Sequence, residues 1–305
     1  MKDLLHQGRF STRPAGVYFD HLTPAPGTSR PTLVLVHGGG HTGSCWLRTA
    51  DGRPGWAYRF AAAGYPVAVP DWPGHGRSGA LDPDDLSGEA VCAGLAGVID
   101  LLEGPVVLVT HSMGGALGWR LAELRREAVI GIAGIAPGPP GNIQPPGEIV
   151  GETEDELWIR TPTRTGRLRR RGFTMLDRAF LTEKLVGAST QFPREALEAY
   201  GQMLGPTASR LLFERQNAGG TQVRVRDPAC LAGCKVLVLT GENDLDHPRE
   251  VDAEVADWAA AHGASTRFVW LPDLGIHGNG HMLMMEANSD AVADVVLAWL
   301  AGIGD

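Results

Sequence analysis

The chain has 305 residues, of which 43% are hydrophobic and 20% charged, and its formal net charge is -8. These values are typical of a folded globular enzyme and disfavour a disordered chain or a dedicated nucleic-acid binder. No run of about 18 apolar residues occurs, so we expect no membrane-spanning helix. Met1–Gly16 lacks the apolar core of a signal peptide, and the four cysteines lack the paired spacing of zinc sites. We therefore expect a cytoplasmic protein without a bound metal.

Short β-branched runs alternate with longer amphipathic segments along most of the chain. Strands buried on both faces of a parallel sheet are short and almost entirely apolar. Six runs fit this description: Pro31–Val36, Tyr65–Val69, Val106–Val109, Val129–Ile135, Lys235–Leu239 and Thr266–Leu271. Helices are predicted at Trp56–Ala63, Leu86–Leu102, Gly115–Arg126, Glu250–His262 and Ser289–Ala301. The alternation predicts an α/β fold with a mostly parallel central sheet flanked by helices.

Glycines directly follow the first predicted strand, in the sequence His37–His41 (HGGGH). Glycine lets backbone N–H groups approach a ligand without obstruction by a side chain. In hydrolases such a loop donates one N–H to the oxyanion of a tetrahedral intermediate. We predict that Gly39 donates this hydrogen bond, with Gly40 as the alternative, and that the N–H of Met113 is the second donor. The alternative interpretation is an ordinary glycine-rich turn.

The segment Val106–Gly118 (VVLVTHSMGGALG) indicates a strand, a sharp turn and the start of a helix. A serine at such a turn is a candidate nucleophile, which places Ser112 at the tip. The usual pattern Gly-x-Ser-x-Gly has Thr110 at its first position here. Gly114 and Gly115 supply room on the far side. We expect Thr110 either to hold the strand and helix slightly farther apart or to turn its hydroxyl towards the backbone.

Residues 137–234 interrupt the alternation, and we call them the insertion. We predict a largely helical cap over the carboxyl ends of the strands, with residues 1–136 and 235–305 forming the core. Helices are expected near Arg178–Val186, Arg194–Leu204 and Ser209–Gln216. The arginines of this segment could attract an anionic substrate, or could belong to a solvated loop or an oligomer contact; they are Arg160, Arg164, Arg167, Arg169, Arg170 and Arg171.

A serine nucleophile needs a histidine base and an orienting acid. The histidine should follow the last strand, where His281 is favoured over His277. The acid should follow the preceding strand, where Asp244 is favoured over Asp246 and Glu242. This gives the chain order Ser112, Asp244, His281.

Four further side chains are predicted to contact substrate. They are His41, His111, Trp46 and Trp158.

The motifs HGGG, DWPGHGRS, THSMGG, GENDLDHP and GNGHM occur in this order, and together they resemble those of the α/β-hydrolase superfamily. TGSCWLRTADGRPGWAYRFAAAGYPV and LGIHGNGHMLMMEANSD are similar to a branch of bacterial carboxylesterases. The resemblance implies an α/β-hydrolase fold and a homodimer. In that branch the acid can be a glutamate after the strand that follows the nucleophile helix. Ala136 occupies the matching position, which favours an acid in the later loop.

The leading hypothesis is a serine hydrolase that cleaves a small ester, lactone or related acyl substrate through an acyl-enzyme on Ser112. No cofactor is required, and the expected partner is the small acyl substrate rather than a nucleic acid or a membrane. One alternative is a carbon–carbon bond hydrolase or lyase that uses the same triad. Another is a member of the fold that binds ligands without catalysis.

Overall fold

A computed structural model describes residues 4–12, 16–24, 30–161 and 165–303 of the chain. Within these ranges no helix is both long and apolar enough to span a bilayer. The strands in chain order are β1 (Leu5–Ser11), β2 (Val17–Thr23), β3 (Thr32–Val36), β4 (Val67–Pro70), β5 (Val106–Ser112), β6 (Val129–Pro137), β7 (Glu148–Glu152), β8 (Glu156–Arg160), β9 (Thr165–Arg169), β10 (Phe173–Thr174), β11 (Thr207–Ala208), β12 (Lys235–Thr240) and β13 (Ser265–Trp270).

The helices flank the sheet or belong to the insertion. In chain order they are α1 (Ser44–Leu47), α2 (Trp56–Ala62), α3 (Gly88–Ile99), α4 (Met113–Leu124), α5 (Arg178–Phe180), α6 (Leu197–Met203), α7 (Ser209–Glu214), α8 (Arg249–Ala261) and α9 (Ser289–Leu300). A π-helical turn, Leu181–Val186, continues from α5. The predicted helices of the core occur within a few residues of their expected positions.

The central sheet has eight strands in the order β1-β2-β4-β3-β5-β6-β12-β13. Within this sheet β4, β3, β5, β6, β12 and β13 are parallel to their neighbours in that group, whereas β2 is antiparallel to both β1 and β4. This confirms the predicted mostly parallel α/β-hydrolase fold. Sequence analysis did not predict β1 and β2, because β1 is largely exposed and its sequence, LHQGRFS, lacks a buried run.

The two faces of the sheet bury separate apolar layers. Leu33 and Leu35 pack with α2 and α9 on one face, while Val34 and Val36 pack with α3, α4 and α8 on the other. Successive side chains of a strand point to opposite faces, so both layers demand apolar residues at every position of β3. Burying each such side chain stabilises the fold by about 1.5–3 kcal/mol.

The insertion is less helical than expected. Its first half forms a three-stranded antiparallel sheet, β7-β8-β9, and β10 pairs with β11 farther along. The helices expected in its second half are present as α5 with the π-helical turn, α6 and α7.

The basic segment of the insertion forms part of this sheet rather than a loop. Arg160, Arg167 and Arg170 form ion pairs with Glu148, Glu156 and Glu152, respectively. Opposite charges on neighbouring strands favour an antiparallel sheet, although exposed pairs contribute only about 0–1 kcal/mol each. Arg164 lies outside the described residues.

Candidate active site

Ser112 lies at the sharp turn between β5 and α4. Its backbone has φ 51° and ψ -126°, a conformation that residues other than glycine rarely adopt. Such backbone strain costs about 1–3 kcal/mol and persists only where the surrounding structure imposes it. The turn presents the Ser112 side chain at the N-terminus of α4, where the helix dipole favours negative charge.

Glycines allow α4 to pack tightly behind this turn. A Cβ atom at Gly114 would lie 2.5 Å from the carbonyl oxygen of His37, and one at Gly115 would lie 2.6 Å from Cβ of Pro137. Neither position can hold a side chain unless these neighbours move. His37 directly follows β3 and Pro137 ends β6, so the displaced residues would lie at the strand ends beside the serine. The predicted requirement for small residues after Ser112 therefore has a direct steric cause.

Thr110 is accommodated in a way that sequence analysis did not predict. Its methyl group faces Gly118, where an added Cβ would lie only 2.6 Å from Thr110 Cγ2. Its buried hydroxyl has no hydrogen-bond partner among the described residues, so the expected bond to the backbone is absent. A glycine at position 110 would leave space between β5 and α4. Here Gly118 of α4 leaves that space instead.

Ser112, His281 and Asp244 form a continuous chain of polar contacts. Ser112 Oγ lies 3.0 Å from His281 Nε2, and His281 Nδ1 lies 2.6 Å from Asp244 Oδ2. A carboxylate only accepts hydrogen bonds, so Nδ1 carries the proton and Nε2 can accept the serine O–H. Burial raises the pKa of Asp244, but His281 and His247 lower it by more, and the net pKa lies below the usual aspartate value.

The alternative acids have other partners. Asp246 forms an ion pair with Lys184 of the insertion, and its N–H donates to Asp244 Oδ1 at 3.1 Å. Glu242 accepts a hydrogen bond from the N–H of Gly278 at 2.7 Å. The alternative base, His277, is 62% exposed and faces Glu242. Of the alternatives weighed, the structure brings only Asp244 and His281 to Ser112.

The loop His37–His41, which we call the glycine loop, lies directly over the serine turn. A Cβ atom at Gly38 would lie 2.9 Å from Cβ of Ser112, and one at Gly39 would lie 2.5 Å from Sδ of Met113. The N–H of Gly40 donates to Thr207 Oγ1 at 2.7 Å, so it is already engaged. Gly39 is therefore the better candidate of the two for the oxyanion donor, and it adjoins Met113 as expected.

Two histidines predicted to contact substrate form hydrogen bonds with the backbone of the site. His41 is buried, with Nδ1 2.9 Å from the carbonyl oxygen of Gly39 and Nε2 2.9 Å from the hydroxyl of Tyr200. His111 is also buried, and its Nε2 donates to the carbonyl oxygen of His281 at 3.0 Å. These bonds occupy both His41 nitrogens and direct His111 Nε2 to the backbone of the candidate base. Contact of either ring with substrate stays a prediction.

The two tryptophans predicted to contact substrate pack against other side chains. Trp46 is fully buried in the core and packs against the rings of Trp56 and His111. Trp158 lies on β8 with the guanidinium of Arg167 5.4 Å from its ring centre. Alternation along β8 turns it away from the face that carries its buried neighbours Leu157 and Ile159. Both rings thus make packing contacts, and their contact with substrate stays a prediction.

The loop that carries His281 is held by a buried carboxylate that was not predicted from the sequence. Glu286 accepts hydrogen bonds from the N–H of Gly280 at 2.7 Å, from Asn279 Nδ2 at 2.5 Å and from Ser189 Oγ at 2.5 Å. Burial raises the pKa of Glu286 despite these donors. The residue before His281 is thereby fixed to both the core and the insertion. Glu286 falls within the segment LGIHGNGHMLMMEANSD, but nothing in the sequence distinguished it from its neighbours.

A second histidine–carboxylate pair lies against the first. The ring of His247 stacks on that of His281 at 5.2 Å, and its Nδ1 lies 2.8 Å from Asp252 Oδ1. Asp244, His247 and His281 place ligand atoms within 4.8 Å of one another, close enough to hold a metal ion. Both Nδ1 atoms already face a carboxylate, and two hydrogen-bonded pairs account for the cluster without an ion.

A mostly apolar cleft has Met113 among its lining residues. Its volume is about 310 Å³, a value that includes the open mouth. It lies between α4 and α7, and its apolar lining residues include Trp72, Ala116, Leu117, Leu211 and Val223. Glu214, Arg215 and Gln222 also line it. Ala116 and Leu117 lie one helical turn from Met113 on the same face of α4. The cleft therefore extends to the residue that follows the candidate nucleophile.

Known proteins are similar to this chain in sequence or in architecture. A probable secreted lipase from Fungal sp. is 25% identical, over 93% of this chain and 85% of its own. A 2-hydroxy-6-oxononadienedioate/2-hydroxy-6-oxononatrienedioate hydrolase from Burkholderia vietnamiensis is 31% identical, over 82% of this chain and 80% of its own. A thermophilic esterase from Thermogutta terrifontis superposes with a TM-score of 0.64 at 20% identity, covering 99% of this chain and 100% of the esterase.

The sequence model of the Alpha/beta hydrolase family matches residues 33–295. That range contains the glycine loop, the serine turn and the two later loops that carry Asp244 and His281. Since the match covers most of the chain and includes every member of the polar chain at Ser112, this protein is an enzyme of the Alpha/beta hydrolase family.

Proposed function

We propose that the protein is a serine hydrolase that cleaves a small carboxylic ester, lactone or related acyl compound. The observation that carries this proposal is the chain from Ser112 Oγ to His281 Nε2 at 3.0 Å and from His281 Nδ1 to Asp244 Oδ2 at 2.6 Å. The lipase and esterase relatives support the same reaction class. Ser112 is the proposed nucleophile, His281 the base and Asp244 the acid.

Each step of the proposed reaction has a candidate residue. Ser112 Oγ attacks the ester carbonyl while His281 Nε2 takes the serine proton, and the ionised Asp244 stabilises the resulting imidazolium. The N–H groups of Gly39 and Met113 donate to the oxyanion. The tetrahedral intermediate collapses to an acyl-enzyme as His281 protonates the leaving alcohol. Water, deprotonated by His281, then attacks the acyl carbon and releases the acid and free Ser112.

The surroundings favour an uncharged acyl group. The cleft beside Met113 is lined mostly by apolar side chains, and its two charged lining residues, Glu214 and Arg215, have opposite signs. Three arginines of the basic segment are already paired with glutamates. We further propose that the insertion, residues 137–234, is the cap that shapes this cleft. A homodimer and a cytoplasmic location stay predictions from the sequence.

Labelling with a fluorophosphonate probe tests the proposal. We expect the wild type to be labelled once per chain and to hydrolyse p-nitrophenyl esters, and Ser112→Ala to lose both properties. Ser78→Ala is the matched control, because Ser78 lies in a loop where its hydroxyl donates to the carbonyl oxygen of Asp71. Labelling that persists in Ser112→Ala would refute the assignment. A wild type that binds esters without turnover would indicate a non-catalytic member of the fold.

Carbon–carbon bond hydrolysis is the second candidate, favoured by the 31% identity to the Burkholderia vietnamiensis hydrolase. The proposed triad could serve this reaction as well. That relative's named substrates are dicarboxylates, which would require cationic partners in the cleft, and Arg215 is one of its lining residues. Turnover of a 2-hydroxy-6-oxo dienoate at a higher kcat/KM than any p-nitrophenyl ester would favour this second function.

A further inference from the structure

The insertion holds the glycine loop by hydrogen bonds to both backbone polar groups of Gly40. The peptide between Gly39 and Gly40 has its C=O bonded to His41 Nδ1 at 2.9 Å and its N–H bonded to Thr207 Oγ1 at 2.7 Å. The carbonyl oxygen of Gly40 accepts a third bond from the N–H of Gly205 at 2.9 Å. Thr207 and Gly205 belong to the insertion, so this part of the loop depends on contacts from outside the core.

The bond through His41 also leads to the insertion. Burial lowers the pKa of His41 to about 4, so its ring is neutral near pH 7. A carbonyl oxygen only accepts, so Nδ1 carries the proton and the bare Nε2 accepts from the Tyr200 hydroxyl at 2.9 Å. Tyr200 is fully buried on α6 and stacks on the His41 ring. Its hydroxyl thereby fixes the tautomer and the orientation of His41.

This clamp adjoins the proposed oxyanion donor. The Gly39 N–H belongs to the preceding peptide, whose carbonyl, that of Gly38, is held by His37 Nδ1 at 2.8 Å. The two peptides meet at the α-carbon of Gly39. Glycine permits many backbone conformations, so both peptides must be restrained for that N–H to keep one direction. His37 restrains one peptide from the core, and Thr207 and Tyr200 restrain the other from the insertion.

We propose that Thr207 and Tyr200 are positioning residues that couple the insertion to catalysis by fixing the glycine loop in the shape that aims the Gly39 N–H at the substrate oxyanion. This inference rests on the proposed serine hydrolase function. Removal of an oxyanion donor costs about 100- to 1000-fold in kcat, and misplacement by about 1 Å can cost 100-fold. Loss of one restraint should therefore lower kcat by about 10- to 100-fold.

The central variant is Thr207→Val, which keeps the side-chain shape and removes the acceptor of the Gly40 N–H. We expect kcat for p-nitrophenyl butyrate, per active site titrated with a fluorophosphonate, to fall about 10- to 100-fold with KM nearly unchanged. Thr207→Ser retains the hydroxyl and should restore most of the activity. Tyr200→Phe should also lower kcat. The double variant should lose less activity than the sum of the two single effects, because both residues restrain the same peptide.

The matched control is Thr174→Val. Thr174 pairs with Thr207 across β10 and β11, and its hydroxyl contacts Ser209 rather than the glycine loop. It should lose stability without losing kcat per titrated site. A Thr207→Val enzyme that is less stable but keeps full kcat would overturn the inference and leave the proposed function intact. A wild type that neither reacts with fluorophosphonate nor hydrolyses esters would overturn both.

Discussion

Replacement of Gly118 by alanine tests how the serine turn tolerates Thr110. The new Cβ would lie 2.6 Å from Thr110 Cγ2, well inside normal contact, and Thr110 is completely buried. Overpacking of this kind costs about 1–3 kcal/mol, while alanine in place of glycine stabilises a helix by about 1 kcal/mol. We therefore expect Gly118→Ala to destabilise the protein by about 0–2 kcal/mol.

A double-mutant cycle separates these opposing effects. Thr110→Ser removes the methyl group that faces Gly118, so in that background Gly118→Ala should stabilise the protein by about 1 kcal/mol. The difference gives a coupling free energy of about 1–3 kcal/mol between positions 110 and 118. Urea unfolding of the four proteins measures this coupling.

The control is Gly201→Ala on α6, where an added Cβ would lie 3.5 Å from Leu181 and farther than 4 Å from other described residues outside α6. It should be additive with Thr110→Ser. A coupling between Gly118→Ala and Thr110→Ser below about 0.5 kcal/mol, the ordinary scatter of independent sites, would refute the idea that Gly118 compensates for Thr110.

Two further predictions concern carboxylates. Asp244→Asn should lower kcat by about 10⁴-fold, because it favours the wrong tautomer of His281. Asp246→Asn should keep nearly full kcat. Steady-state assays in which Asp246→Asn loses the activity and Asp244→Asn keeps it would reassign the acid. Asp71→Asn should destabilise the protein by about 1.5–3 kcal/mol at neutral pH, because buried Asp71 accepts hydrogen bonds from Arg77 and from the N–H of Gly43. Burial raises the pKa of Asp71, but Arg77 lowers it by more, so this stabilisation is present above the unfolded-state pKa near 3.9 and is lost as pH falls through the lower folded-state value. Urea unfolding from pH 7 to pH 3 should show the gap between wild type and Asp71→Asn closing in acid, and a constant gap would contradict this account.

The sequence by itself determined the layout of the core and the order of its chemistry. Buried parallel strands need apolar residues on both faces, so runs such as TLVLV at β3 identify themselves locally. The serine turn was also readable, because strand, serine, glycines and helix are adjacent in the chain. Its partners could be narrowed to short loops, since the carboxyl ends of parallel strands meet at one edge of the sheet.

Only the tertiary structure decided among neighbours of equal chemistry and among residues distant in sequence. Asp244 and Asp246 are two positions apart and both are carboxylates; an ion pair with Lys184 of the insertion draws Asp246 to another partner. Gly118 resolves the crowding at Thr110 because α4 folds back along β5, a contact that no local pattern encodes. Thr207 reaches Gly40 across 167 residues for the same reason: hydrogen-bond partners are selected by the packed backbone, and side-chain type only limits the choice.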